Sequence, residues 1–99
     1  MISPEQYIAP EKRTASRILE KEAVILTLED SMLHTLNRVG SRTWELADGT
    51  KTIEEIATII SDEFEIEKAT AQADILEFVE ELQGKGMISV RSTRTSEVK

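Results

Sequence analysis

The sequence contains no cysteine. That excludes disulfides, thiolate zinc sites, cysteine-ligated iron–sulfur clusters and cysteine nucleophiles. Histidine occurs once, as His34. A lone imidazole supports neither a histidine-based metal site nor the order of a catalytic triad, so His34 reads as structural or surface. Glycine occurs four times, and neither G-x-x-x-x-G-K-[ST] nor G-x-G-x-x-G is present, which leaves no phosphate cradle. No apolar run approaches the ~18 residues that a membrane span needs. The opening MISPEQYIAPEKR lacks the apolar region of an export signal. The expectation is therefore a cytoplasmic chain with no enzymatic activity, no cofactor, no metal and no membrane contact.

What is present fits one small domain. The chain has 99 residues, of which 39% are hydrophobic and 31% charged. That is too apolar for disorder, and the length allows one modest core with little room for a deep catalytic cavity. The net charge is −7, concentrated between residues 41 and 88, where twelve acids face four bases. Such a segment repels a phosphate backbone, so nucleic acid is not an expected partner.

Residues 1–12 contain Pro4 and Pro10 and no apolar periodicity. They read as a flexible lead-in, although Tyr7 and Ile8 could pack on the domain. Residues 13–91 form the expected domain and 92–99 a frayed tail. Ser16 to Leu19 reads as a first strand, and Ala23 to Leu28, AVILTL, as a second. Glu20-Lys21 between them lacks the Gly or Asn of a strong hairpin turn. Met32 to Leu36 reads as a third strand, with Met32, His34 and Leu36 on one face and Leu33 and Thr35 on the other. Short connections imply an antiparallel meander with this third strand at an edge.

Helices follow. Asn37 caps a helix that runs to about Ala47, with Gly49 beyond it. Trp44 on this helix reads as a core anchor, or else as part of a binding pocket. Gly40, inside the helix, reads as a point of close packing on the sheet. Thr52 opens T-I-E-E, a capping box, followed by the stripe Ile53, Ile56, Ala57, Ile60 and Phe64. A third helix runs from about Glu67 to Gln83 with the core stripe Ala71, Ile75, Phe78, Val79 and Leu82. Met87 to Arg91 is either a short strand or an extended tail. Three strands followed by three helices give an α+β, winged helix-turn-helix-like fold. A winged-helix DNA-binding or transcription-associated module is therefore the alternative function, but five acids against two bases on the third helix make it a poor reader of DNA.

The stretches AVILTL, LHTLNRVGSRTWELADG, TIEEIATIISDEFEI and ADILEFVEELQGKGMI carry a family resemblance. The central run, L-N-x-x-G-x-x-x-W-x-L-x-D-G, is specific as a unit. From about Arg17 to Ile88 the chain resembles the PqqD family, the peptide-chaperone domain also called the RiPP recognition element. The resemblance implies a three-stranded antiparallel sheet followed by three helices. It also implies that the leader of a ribosomally made precursor peptide adds as a strand along the third strand, in the groove beside the third helix. The implied partners are that leader and a modifying enzyme, often a radical SAM protein. The chain has no room for a fused enzyme, so the module is expected to be free-standing, and its exposed edge leaves it a monomer or possible homodimer. Carried over by position, the edge is Ser31, Met32, Leu33, His34, Thr35 and Leu36. Stepping ~100° per residue from Ile75 to positions off the core stripe gives the expected helical wall: Ala69, Gln72, Ala73, Leu76 and Gln83. The alternative for Leu76 is a peripheral core contact.

Overall fold

The computed structural model describes residues 2–93. Its elements in chain order are β1 (Tyr7–Pro10), β2 (Thr14–Leu19), β3 (Glu22–Thr27), β4 (Met32–Thr35), α1 (Arg38–Leu46), α2 (Ile53–Phe64), α3 (Lys68–Gly84) and β5 (Ile88–Arg91). The expected α+β class holds. β2, β3 and β4 form an antiparallel sheet in that order, and β1 pairs with β5 in a second, two-stranded sheet.

That second sheet corrects the reading of residues 1–12 as a lead-in without regular structure. Tyr7 pairs with Arg91 and Pro10 with Ile88, while Ile8 and Ala9 are buried in the core. Pro10 ends its strand, where a missing N–H does least harm to the ladder. The segment also serves the helices. The carbonyls of Pro4 and Gln6 accept the amides of Glu54 and Ile53, both at 2.9 Å, and the Ile8 carbonyl accepts Gly49 N–H at 2.8 Å. It thereby satisfies helix-end amides of α2 that otherwise lack partners. Met87 to Arg91, left open between strand and tail, is the strand β5 from Ile88 onward. Of the expected C-terminal tail, residues 94–99 lie outside the described residues.

The first hairpin turns on Glu20 and Lys21, both at positive φ (51° and 72°). Two consecutive left-handed residues match the twist of a tight hairpin, here built without glycine or asparagine. The β3–β4 loop closes on Ser31, also left-handed at φ 58°. The Asp30 carboxylate fastens that loop by accepting the Thr27 hydroxyl and the Met32 amide.

Alternation along β3 gives the sheet one inner face. Ala23, Ile25 and Thr27 are buried, whereas Leu28, which follows on the other face, is exposed. α1 lies over β3, and its Trp44, only 5% exposed, donates its indole N–H to Ser16 Oγ at 3.1 Å. Trp44 is thus a core anchor with its polar end satisfied. α2 enters through the expected capping box: Thr52 Oγ1 accepts Glu55 N–H and the Glu55 carboxylate accepts Thr52 N–H. Ile53, Ile56, Ala57 and Ile60 then pack against Ala71, Ile75, Val79 and Leu82 of α3. Each large aliphatic side chain buried this way contributes about 1.5–3 kcal/mol. Among the described residues no helix is long and apolar enough to cross a membrane.

Candidate functional site

Among the described residues β4 is hydrogen-bonded to β3 alone, so one side of it is open. The register fixes which groups face outward. Val24 lies opposite Thr35, Ile25 opposite His34, Leu26 opposite Leu33 and Thr27 opposite Met32. Leu36 N–H donates to the Ala23 carbonyl at 3.0 Å. In an antiparallel ladder, alternate residues turn their backbone groups to the same neighbour. Met32, His34 and Leu36 therefore bond to β3, and Leu33 and Thr35 hold their N–H and C=O groups toward the open side.

A side chain completes the inner end of the ladder. Ser41 Oγ accepts Ala23 N–H at 2.6 Å and donates to the Leu36 carbonyl at 3.1 Å. One hydroxyl thus stands between β3 and the end of β4, and it anchors α1 to both. Edge strands are commonly blunted by lysine or proline. The stretch from Ser31 to Leu36 has neither, and it carries no acidic or basic chain apart from His34.

Side chains divide as the register requires. His34 shares the inner face with Ile25 and is half-buried, while Leu33 on the outer face is 67% exposed. A groove of about 300 Å³ opens on the inner side between β4 and α3. His34, Thr35 and Leu36 line one wall, Phe78, Glu81, Leu82 and Lys85 the other, and Asn37 with Gly40 meets them at one end. Glu81 and Lys85 pair across one helical turn at 3.3 Å. Both are largely exposed, so the pair adds little to stability but cancels charge at the groove mouth.

The groove wall corrects the expected helical residues. Ala69, Gln72, Ala73, Leu76 and Gln83 do not line it, and Leu76 packs on the core instead. At ~100° per residue, Leu76 lies on one flank of Ile75 while Phe78, Glu81 and Lys85 lie on the other. The expectation chose the wrong flank because the sequence does not show on which side of the core stripe β4 passes. Phe78, assigned to the core stripe, is a half-buried side chain at the groove. Of the expected edge residues, His34, Thr35 and Leu36 line the groove and Met32 and Leu33 extend the same open strand, whereas Ser31 falls in the left-handed turn before it.

Gly40 also differs from its expected contact. A Cβ there would lie 3.1 Å from Asn37 Oδ1 and 3.2 Å from Phe78 Cε1, and farther, 3.6 Å, from Leu36 Cβ. The close approach is to α3 and the helix cap more than to the sheet. Asn37 Oδ1 is itself engaged, accepting Gly40 N–H at 2.7 Å. Among the described residues no three His, Asp or Glu side chains gather as a metal ligand set.

A strand with one open side, set beside a helix-walled and partly apolar groove, is a geometry suited to strand addition. The family model described as "Coenzyme PQQ synthesis protein D (PqqD)" matches residues 22–88, and the chain belongs to the PqqD family. Solved structures agree in fold. The chain is 28% identical to TbiB1, solved in complex with the TbiA(beta) leader peptide, over 82% of this chain and 94% of that one, with a TM-score of 0.76. A lasso peptide synthetase B1 complexed with its leader peptide is 18% identical, covering 83% and 96%, at 0.75. The PqqD truncation of Methylobacterium extorquens PqqCD, a stand-alone RiPP recognition element, is 23% identical, covering 90% and 95%, at 0.76. No curated protein sequence matches the chain. The family match begins at Glu22, the first residue of β3, so β1 and β2 lie outside it.

Proposed function

We propose that the protein binds the leader segment of a ribosomally synthesised precursor peptide and presents it to a separate modifying enzyme, a radical SAM maturase by family analogy. It performs no chemistry itself. The observation that carries this reading is the open side of β4: Leu33 and Thr35 offer backbone donors and acceptors directly beside a groove walled by Phe78 and Leu82. The leader adds as a strand there. Its backbone pairs with Leu33 and Thr35, and its alternate side chains enter the groove or lie over the outer face beside Leu33. The leader complexes of TbiB1 and the lasso synthetase B1 support the ligand class. Backbone pairing gives affinity that tolerates sequence, and groove contacts give selectivity. An unstructured leader loses entropy on ordering, so micromolar affinity, about −8 kcal/mol, is expected.

The test is Thr35→Pro. Thr35 N–H points away from β3, so proline removes a donor from the open side and leaves the β3–β4 bonds in place. Peptides captured by the wild-type protein from a displayed random library supply the ligands for calorimetry. Binding is expected to vanish in Thr35→Pro while far-UV circular dichroism is unchanged. Undiminished affinity in the folded variant overturns strand addition at this edge.

A further inference from the structure

Beyond the C-terminal end of β4 the groove does not stop at Asn37. A second hollow, of about 280 Å³, opens between α1 and α3. Asn37, Gly40 and Phe78 belong to the walls of both cavities, so the Phe78 ring separates two compartments of one cleft. The two follow in order along α3. Lys85, Glu81 and Leu82 line the part beside β4, and Asp74, Ile75 and Glu77 the part beyond it. The far compartment has an apolar interior from Val39, Ile66, Ile75 and Phe78, with Asp74 and Glu77 exposed beside it. No basic residue lines it, and neither acid has an ion-pair partner among the described residues. In the near compartment Lys85 neutralises Glu81.

We infer that the far compartment is a selectivity subsite for the same bound peptide, and that it takes an aliphatic or aromatic side chain carried next to a lysine or arginine. The inference rests on the strand-addition reading. A strand added to β4 that continues past Leu36 passes Phe78 and reaches this hollow. The apolar interior accepts the bulky side chain, and the two free carboxylates draw the cation beside it. The near compartment, with its charge balanced, selects by shape, and the far one selects by shape and charge together.

A random peptide library displayed on its encoding mRNA is the probe, selected separately on the wild type, on Asp74→Lys/Glu77→Lys and on Thr35→Pro. Both acids are exposed, so the double variant is expected to fold. Wild-type selection should enrich peptides in which Lys or Arg adjoins a large apolar residue. Asp74→Lys/Glu77→Lys should lose the basic preference and bind the wild-type winners about tenfold more weakly at low salt. Val39→Phe, which fills the hollow from α1, should weaken the same peptides by shifting selection to smaller apolar residues. Thr35→Pro should enrich nothing. If the double variant and Val39→Phe both bind the winners as the wild type does while Thr35→Pro abolishes capture, the subsite is wrong and the edge reading stands. If Thr35→Pro captures peptides normally, the edge reading fails and takes the subsite with it.

Discussion

Gly40 and Phe78 meet so closely that a Cβ on residue 40 would stand 3.2 Å from Phe78 Cε1. The ring therefore holds its place between the two compartments because residue 40 has no side chain. Two effects oppose each other in Gly40→Ala. Alanine gains about 1 kcal/mol of helix propensity in α1, and the new methyl crowds Phe78 and the Asn37 cap. Phe78 is half-buried and faces open groove, so it can yield by a few tenths of an ångström. Gly40→Ala is expected to change the unfolding free energy by less than about 1 kcal/mol while lowering peptide affinity, because the displaced ring narrows the cleft. Urea denaturation beside calorimetry separates the two. A variant that binds as the wild type does removes Phe78 position from the recognition mechanism.

Ser41 offers a sharper energetic test. It is 2% exposed, and its hydroxyl links Ala23 N–H to the Leu36 carbonyl. Ser41→Ala leaves a buried amide without a partner, which costs about 1–3 kcal/mol. The loss should be local as well as global. Amide hydrogen exchange at Ala23 is expected to accelerate more than at Ile60 in α2, because the end of the β3–β4 ladder opens before the helical core does. Uniform acceleration would mean that Ser41 acts only on overall stability.

The sequence exposed the parts of this architecture that depend on near neighbours. The Thr52–Glu55 capping box, the Asn37 cap and the α2 stripe all follow from spacings of three or four residues. The edge position of β4 follows from short connections. What stayed hidden depends on distant partners. β1 is four residues long and contains a proline, and its complement lies some eighty positions away in β5, so no local pattern marks it. The flank of α3 that walls the groove depends on where β4 passes. A helical stripe shows which residues turn inward but not which neighbour lies to its left or right. Phe78 shows the difference: its spacing from Ile75 and Leu82 fits a core position, yet it borders the cleft. The ~60° by which it departs from Ile75 toward β4 was the signal, and it needed the sheet to give it meaning.

The Glu20–Lys21 turn carries strain that sequence change can relieve. Both residues hold positive φ, where a side chain costs roughly 1–2 kcal/mol and glycine or asparagine far less. Replacing the pair by Asn-Gly is expected to stabilise the domain by about 1 kcal/mol or more, raising the thermal midpoint by several degrees. Neither residue touches the β4 groove, so peptide affinity should hold. A lowered midpoint would show that the charged pair stabilises the turn by some other contact.

Acid sensitivity should trace to the clamp between α1 and α2. Arg42 holds Glu63 through two hydrogen bonds, Nε to Oε1 and Nη2 to Oε2, both 2.9 Å. The hydrogen bond from Arg42 lowers the Glu63 carboxyl below its usual 4.5; slight desolvation opposes this, and the guanidinium charge adds to the lowering. A carboxyl depressed on folding stabilises the folded state above its unfolded value and ceases to do so as pH falls through its folded value. The contribution is thus complete above about pH 4.5 and lost below it. Asp48 and Asp30 are lowered in the same direction, first by hydrogen bonds from Thr50 and Thr27, so the whole domain should weaken in that range. Glu63→Gln keeps the shape and removes the charge. The wild type is expected to exceed Glu63→Gln in urea midpoint at pH 6, and the gap should close as pH falls toward 3. A gap that stays constant across the range would show that the two hydrogen bonds, and not the charge, carry the clamp.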